Sequence, residues 1–299
     1  MSAVTRVRVP ASSANLGPGF DTLGLALNLY LDCAFETSES LQITAEGRDV
    51  DAIPLDETNL IWQTAVTVAR SQQREMPPIR LAISNDIPIG KGLGSSATAL
   101  VAGVAIASKA LQLDWDDHRI LDEAARLEGH PDNVAAAVLG SIATATIGDD
   151  GVTRAVRIEM PTTFRVAVVC PDFVLPTTEM RSVLPDCYSR EDVVFNLQRA
   201  TLLVAGLATG NHEAFPAAFE DRLHQPHRMA SVPGMEQILK LRAPGLLGCA
   251  LSGAGPAILV FYDEGSEYVL ELVRAEFTKA GKANEVVARG VSRKGLEIT

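Results

Sequence analysis

Residues 87–98 read IPIGKGLGSSAT, with Gly90, Gly92 and Gly94 on alternate positions. They lead through Ser95 and Ser96 into a proline-free apolar segment of helix length, residues 97–111. Glycines this close together leave the backbone without Cβ atoms, so successive N–H groups can close around an anion. A helix beginning there adds its unpaired first-turn N–H groups and the positive end of its dipole. The stretch is therefore expected to be a phosphate-binding loop made of Pro88, Ile89, Gly90, Lys91, Gly92, Leu93, Gly94, Ser95 and Ser96. A hydroxyl at Ser96 is suited to hold magnesium beside the phosphates, as hydroxyls do in other nucleotide loops. The alternative is a glycine turn that only caps the helix.

Two familiar loops are set aside on sequence grounds. A Walker loop needs Lys followed by Ser or Thr directly after its last glycine, whereas Lys91 is followed by Gly92. Residues 92–97 do fit G-x-G-x-x-A, and Asp114 stands where the acidic partner of a dinucleotide site is wanted. The context differs, however. Residues 85–89, including Pro88, separate the preceding strand at 79–84 from the glycines, and Asp114 opens a second helix instead of ending a strand.

At 299 residues the chain can build two domains with a large core. With 47% hydrophobic and 21% charged residues it is globular. No apolar run reaches the roughly 18 residues of a membrane span. The first ten residues, MSAVTRVRVP, lack the apolar core of a secretory signal, which predicts a cytoplasmic protein. Cys33, Cys170, Cys187 and Cys249 are scattered without a C-x-x-C pair, as suits a reducing compartment. A net charge of −11 argues against nucleic acid as a partner.

Along the chain, a strand is expected at 4–9, ending at Pro10, then a turn-rich loop at 11–21. Leucines on alternate positions predict a strand at 23–31. A further strand at 41–46, a helix from Thr58, a strand at 79–84 and the glycine loop follow. The helix after the loop is apolar nearly all round and should be buried. Asp114 or Asp116 is expected to cap a helix reaching Leu127, and Pro131 to open a short one. Strands are predicted at 141–147 and 152–159, with a linker near Pro161. The second half carries a strand (FRVAVVC), a loop with Pro171 and Pro176, and a long helix capped by Ser189. A strand–loop–strand (LLGCALSGAGPAILVFY), a helix at 266–279 and closing strands at 284–299 complete it. Without a regular βαβ rhythm, the class is α+β.

Three separated strings, PASSANLGPGFD at 10–21, IPIGKGLGSSAT and LSGAGPA at 251–257, together resemble the three motifs of the GHMP family of small-molecule kinases. Within it the chain is most similar to the branch that phosphorylates L-homoserine. That narrower likeness rests on PASSANLGPGFD, LEGHPDN at 127–133, PTTEMRSVLP at 176–185 and HQPHR at 224–228. It departs at Ala136, where proline is expected. The resemblance implies an N-terminal α+β domain (1–160) with a left-handed βαβ element and a ferredoxin-like C-terminal domain (161–299). The site should lie between them, and a homodimer is possible. ATP and magnesium are the implied cofactors and L-homoserine the acceptor, on the route to threonine. Mevalonate as acceptor, or a non-catalytic nucleotide-binding relative, are the rival readings.

The same likeness assigns Ser96 and Glu128 to magnesium, hard oxygens for a hard cation; the plainer reading of Glu128 is a solvated helix-end carboxylate. Lys91 either screens phosphate charge or stays in solvent. Arg181 and Arg228 are assigned to the carboxylate of the acceptor, since a guanidinium fork matches it in two hydrogen bonds. Asp21 is assigned to the ammonium, Asn15 and His130 to further hydrogen bonds; Asp21 and Arg228 in ordinary surface pairs with other charges, and a structural His130, are the plainer readings. Asp132 and Asn133 should flank the acceptor hydroxyl, with Thr177 in support and the need for a side-chain base left open. Gly253, Ala254 and Gly255 are expected to form a backbone wall. Asn59 either touches the adenine or caps its helix.

Overall fold

The computed structural model describes residues 4–299, and its strands fall into two sheets. The first contains β1 (Thr5–Ala14), β2 (Leu23–Thr37), β3 (Gln42–Gly47), β4 (Ile79–Asn85), β5 (Ile142–Ile147), β6 (Thr153–Ile158) and β11 (Glu297–Ile298). Its order is β11-β1-β2-β4-β3, with β5 also on β2 and β6 beyond it. The long strand β2 makes this possible. Its start pairs with β5 through Leu23–Leu25 and its end with β4 through Leu31–Thr37. β3 and β4 are parallel, so the chain must cross over between them, and it does so through α1 (Leu60–Ser71).

The expected loop at 11–21 begins later than the sequence suggests. β1 continues to Ala14 because a register shift between Pro10 and Ala11 accommodates the missing proline N–H. Ala11, Ser12, Ser13 and Ala14 then pair with Leu27–Gly24 and are fully buried. The predicted buried helix is α2 (Ser95–Ala110), which lies against α1 so closely that a Cβ on Gly103 would sit 2.5 Å from Thr64 Cβ. α3 (Asp117–Glu128), capped by Asp116, and α4 (Asp132–Leu139) follow, with Gly129 in the left-handed conformation ending α3.

The second sheet holds β7 (Arg165–Pro171), β8 (Leu246–Leu251), β9 (Ile258–Tyr262) and β10 (Asn284–Arg289) in the order β10-β7-β9-β8, all antiparallel. With α6 (Arg190–Thr209) between β7 and β8 and a helix at Tyr268–Lys279 between β9 and β10, this is the split βαβ arrangement of ferredoxin-like domains. Two features differ from expectation. Pro176 starts a short helix, α5 (Thr177–Ser182), inside the presumed loop. The closing strands separate, since β10 joins the second sheet while β11 returns to the first, pairing Ile298 with Val7. The chain therefore crosses between the sheets twice, and one core cluster spans both, including Phe164, Phe219 and Phe261 from the second half.

Candidate active site

The glycine loop keeps its N–H groups for a ligand because its carbonyls are already engaged. Gly90 O accepts from Leu175 N (3.2 Å), Lys91 O from Ala257 N (3.2 Å), Gly92 O from Ser252 Oγ (2.6 Å) and Leu93 O from Ser12 N (3.1 Å). In a planar trans peptide the next residue's N–H points opposite to the carbonyl. The N–H groups of Lys91 through Gly94 are therefore turned away from the scaffold, and among the described residues none from Gly90 to Ser96 has a protein acceptor. Gly94 caps α2 with no side-chain cap bond, so the first turn of the helix is also open to an anion. All three glycines have φ between 69° and 78°. A Cβ on Gly92 would lie 2.2 Å from Ser252 O and one on Gly94 2.2 Å from Ser12 Oγ, so glycine is required for both conformation and space.

This loop floors a cavity of about 330 Å³. Beside it, Ser96 Oγ donates to Glu128 Oε2 at 3.1 Å. Burial, the largest influence, pushes the Glu128 carboxyl above its ordinary range, against the pull of His130 and Ser96. His130 donates from Nδ1 to Asp132 Oδ1 at 2.8 Å, and the same oxygen accepts Asn133 N at 2.8 Å. Burial opposes charge on His130, but the hydrogen bond to Asp132 and the carboxylates of Asp132 and Glu128 outweigh it and hold its pKa above the usual value. Asn133 Oδ1 accepts from the buried hydroxyl of Ser12 at 2.9 Å. Atoms of Asp21, His130 and Asp132 come within 4.8 Å of one another. Their internal bonds and the imidazole make that trio a poorer magnesium seat than Ser96 and Glu128.

At the far end the expected roles are rearranged. Asp21 and Arg181, assigned to opposite ends of a zwitterion, face each other in a two-pronged ion pair at 2.7 and 3.1 Å. Arg228 is not in a surface pair; it is 2% exposed. Its Nε donates to Met180 O at 3.0 Å and its Nη1 to Gly253 O at 3.1 Å, so the whole fork is not available to a carboxylate and only Nη2 remains. Asn15, with φ 72° and its side chain buried, uses its amide to donate to Gly253 O (3.1 Å) and accept from Asp21 N (3.0 Å). It shapes the turn that presents Asp21.

Most of the predicted residues meet in this cavity, including Ile89, Gly90, Gly92, Leu93, Gly94, Ser95, Ser96, Glu128, Thr177, Gly253 and Ala254. Pro88, Lys91 and Gly255 do not line it. The Lys91 ammonium turns to Pro171 O (3.1 Å) and Asp172 (3.5 Å), away from the glycines. Asn59 lines the cavity, but its amide caps α1 through Ile61 N (3.0 Å) and holds Pro54 O (2.7 Å), so the capping explanation accounts for it. Sequence reasoning missed the apolar end, where Leu31, Ile53, Leu60, Ile83 and Ile87 make an apolar slot. Such residues look like ordinary core. It also missed Ser12 and Ser252, although both stand inside the quoted motifs.

Comparison with known proteins matches residues 59–141 to the GHMP kinases N terminal domain and residues 203–281 to the GHMP kinases C terminal domain. A homoserine kinase of Solibacter usitatus is 62% identical over 293 residues, covering 98% of this chain and 96% of the relative. One from Deinococcus radiodurans is 43% identical, with 98% and 96% covered. Among solved structures, the homoserine kinase from Cytophaga hutchinsonii superposes with TM-score 0.86 at 25% identity, covering 100% of this chain and 98% of that one. A phosphomevalonate kinase of Streptococcus pneumoniae shares the fold at TM-score 0.71 and 13% identity, over 97% and 99% of the two chains.

Proposed function

The chain belongs to the GHMP kinase family, and from that membership we propose that it transfers the γ-phosphoryl group of ATP to the side-chain hydroxyl of L-homoserine. One observation carries the choice of acceptor. The cavity joins a ring of unpartnered backbone N–H groups to a matched pair of opposite charges, Asp21 and Arg181, with the buried Arg228 beside them. A zwitterionic amino alcohol presents the complementary pair, and it can replace the internal ion pair charge for charge. Mevalonate has no ammonium to offer Asp21. The full-length likeness to homoserine kinases agrees with the assignment.

Phosphoryl transfer asks chiefly for alignment and for neutralisation of charge on the transferred group. The N–H groups from Lys91 to Ser96 and the start of α2 hold the phosphates, and the apolar slot takes the base. Ser96 and Glu128 fit magnesium, because a hydroxyl and a partly buried carboxylate already in contact form a hard-oxygen set whose charge a cation would offset. When bound there, that ion supplies charge neutralisation between the phosphates. Asn133, held by Ser12, orients the acceptor hydroxyl. Asp132 fixes His130 through Nδ1, with Nε2 3.8 Å from Glu128 Oε1, on the cavity wall that Thr177 also lines. Residues 1–160 supply the nucleotide cradle, and 161–299 add Thr177, Arg181 and Arg228.

The four cysteines are unpaired, and no helix among the described residues is long and apolar enough to cross a membrane. Free thiols suit a reducing cytoplasm. A coupled ADP-release assay across homoserine, mevalonate, serine and threonine tests the acceptor. Turnover with homoserine far above the others is expected; turnover on mevalonate in its place would overturn the assignment.

A further inference from the structure

His224 has no role in the site as described, yet it stands directly behind it with no solvent exposure. Its two ring nitrogens have partners of fixed character. Nε2 lies 2.7 Å from Gly17 O, which can only accept, so Nε2 carries the hydrogen. Nδ1 lies 3.1 Å from Arg228 Nη1, which can only donate, so Nδ1 offers its lone pair. The imidazole is thereby held neutral in one tautomer. Burial depresses its pKa, with the Asp221 carboxylate pulling the other way.

The ring is also locked in place. The Asp221 carboxylate, with its side chain fully buried, accepts from Leu223 N (2.9 Å), His224 N (3.1 Å) and Gln225 N (2.7 Å), which fixes the backbone on both sides. Phe20 stacks on the imidazole at 5.3 Å with planes 21° apart. Nε and the two Nη1 hydrogens of Arg228 are thus taken by Met180 O, His224 Nδ1 and Gly253 O. The Nη2 hydrogens are left on a guanidinium that lines the cavity.

We propose that His224 is a positioning residue: as a neutral acceptor at Nδ1 it sets the rotation of Arg228, so that Nη2 alone is presented to the acceptor's carboxylate. The inference rests on Arg228 being the carboxylate's partner. Remove the acceptor and one Nη1 hydrogen is buried unpaired, which favours a rotated guanidinium.

Two near-isosteric variants separate positioning from mere support. His224→Gln places its amide donor near the Nε2 position, keeping the Gly17 bond while losing the acceptor toward Arg228. His224→Asn places its carbonyl oxygen near the Nδ1 position, keeping the acceptor while losing the Gly17 bond. Steady-state kinetics should show His224→Gln raising the homoserine KM about 10-fold or more, from loss of a hydrogen bond to a charged group, with the ATP KM within about twofold. His224→Asn should hold the homoserine KM within about threefold while lowering Tm. An unchanged homoserine KM in His224→Gln, or a parallel loss for both substrates in both variants, would overturn the role. Arg228→Ala provides the reference. If it leaves the homoserine KM unchanged, the carboxylate assignment falls and takes the proposal with it; if it raises that KM while His224→Gln does not, only the role of His224 falls. Imidazole nitrogen-15 NMR of the unaltered protein needs no variant. It should show the His224 ring with a pyridine-type Nδ1 that shifts on adding homoserine and not on adding ATP, and finding that ring protonated on both nitrogens would refute the arrangement.

Discussion

The two ends of the cavity are built on opposite plans. At the end proposed for the nucleotide the groups on offer are backbone N–H groups, and the loop's own cation, Lys91, is turned away to Pro171 O and Asp172. At the end proposed for the acceptor the groups on offer are charged side chains, and Asp21 and Arg181 are already paired with each other. Peptide dipoles attract an anion without adding net charge, and their direction is set by carbonyls fastened to Ser12, Leu175, Ser252 and Ala257. That arrangement suits a protein of net charge −11 facing a polyanion. A zwitterion poses the reverse problem, because both of its charges must be matched, and a pair that separates to admit it does so with little change in local charge. One end is therefore rigid and preformed, while the other is exchangeable.

Rigidity can be tested by adding a single methyl group. Gly92→Ala would place a Cβ 2.2 Å from Ser252 O, on a backbone with φ 78°. The loop must distort, and kcat/KM for ATP should fall about 100-fold or more. Near-normal ATP kinetics would mean that the loop is soft, and the contrast between the ends would collapse. The next largest effect is expected at the boundary between the ends. Glu128→Gln keeps the contact to Ser96 and removes the charge, so the magnesium needed for half-maximal rate should rise roughly 10- to 100-fold. A magnesium titration that superposes on that of the unaltered enzyme would remove Glu128 from the metal site.

The same contrast explains what could be read from the sequence. The glycine loop was legible because a backbone turned toward the cavity needs glycine at particular places, and Gly90, Gly92 and Gly94 advertise it. The strands, the buried α2 and the cap at Ser189 were legible from period and capping chemistry. The charged end was legible only as a set of residue types. No local pattern tells that Asp21 meets Arg181 across 160 residues of chain, or that Arg228 uses Nε and Nη1 internally. The continuation of β1 past Pro10 and the return of β11 to the first sheet escaped for a related reason. Both are decided by partners far away in sequence, as is the apolar slot, whose isoleucines and leucines are indistinguishable from core.

Exchangeability predicts smaller effects of a different kind. Arg181→Lys keeps the charge and loses the planar fork, so homoserine KM should rise about 10-fold with ATP KM unchanged. An equal rise for both substrates would place Arg181 at the phosphates. The smallest effect is expected from Asp21→Asn measured as stability. Asparagine tolerates the left-handed backbone at this position, φ 53°, and the N–H that bonds Asn15 is untouched. What disappears is an ion pair whose side chains are 34% and 37% exposed. A pair so open to water contributes at most about 1 kcal/mol, or roughly 3 °C in Tm for a domain of this size. A drop well beyond that would identify the Asp21–Arg181 contact as a structural clamp between the two halves. A drop within it, accompanied by a raised homoserine KM, fits a contact held in readiness for the substrate's own charges.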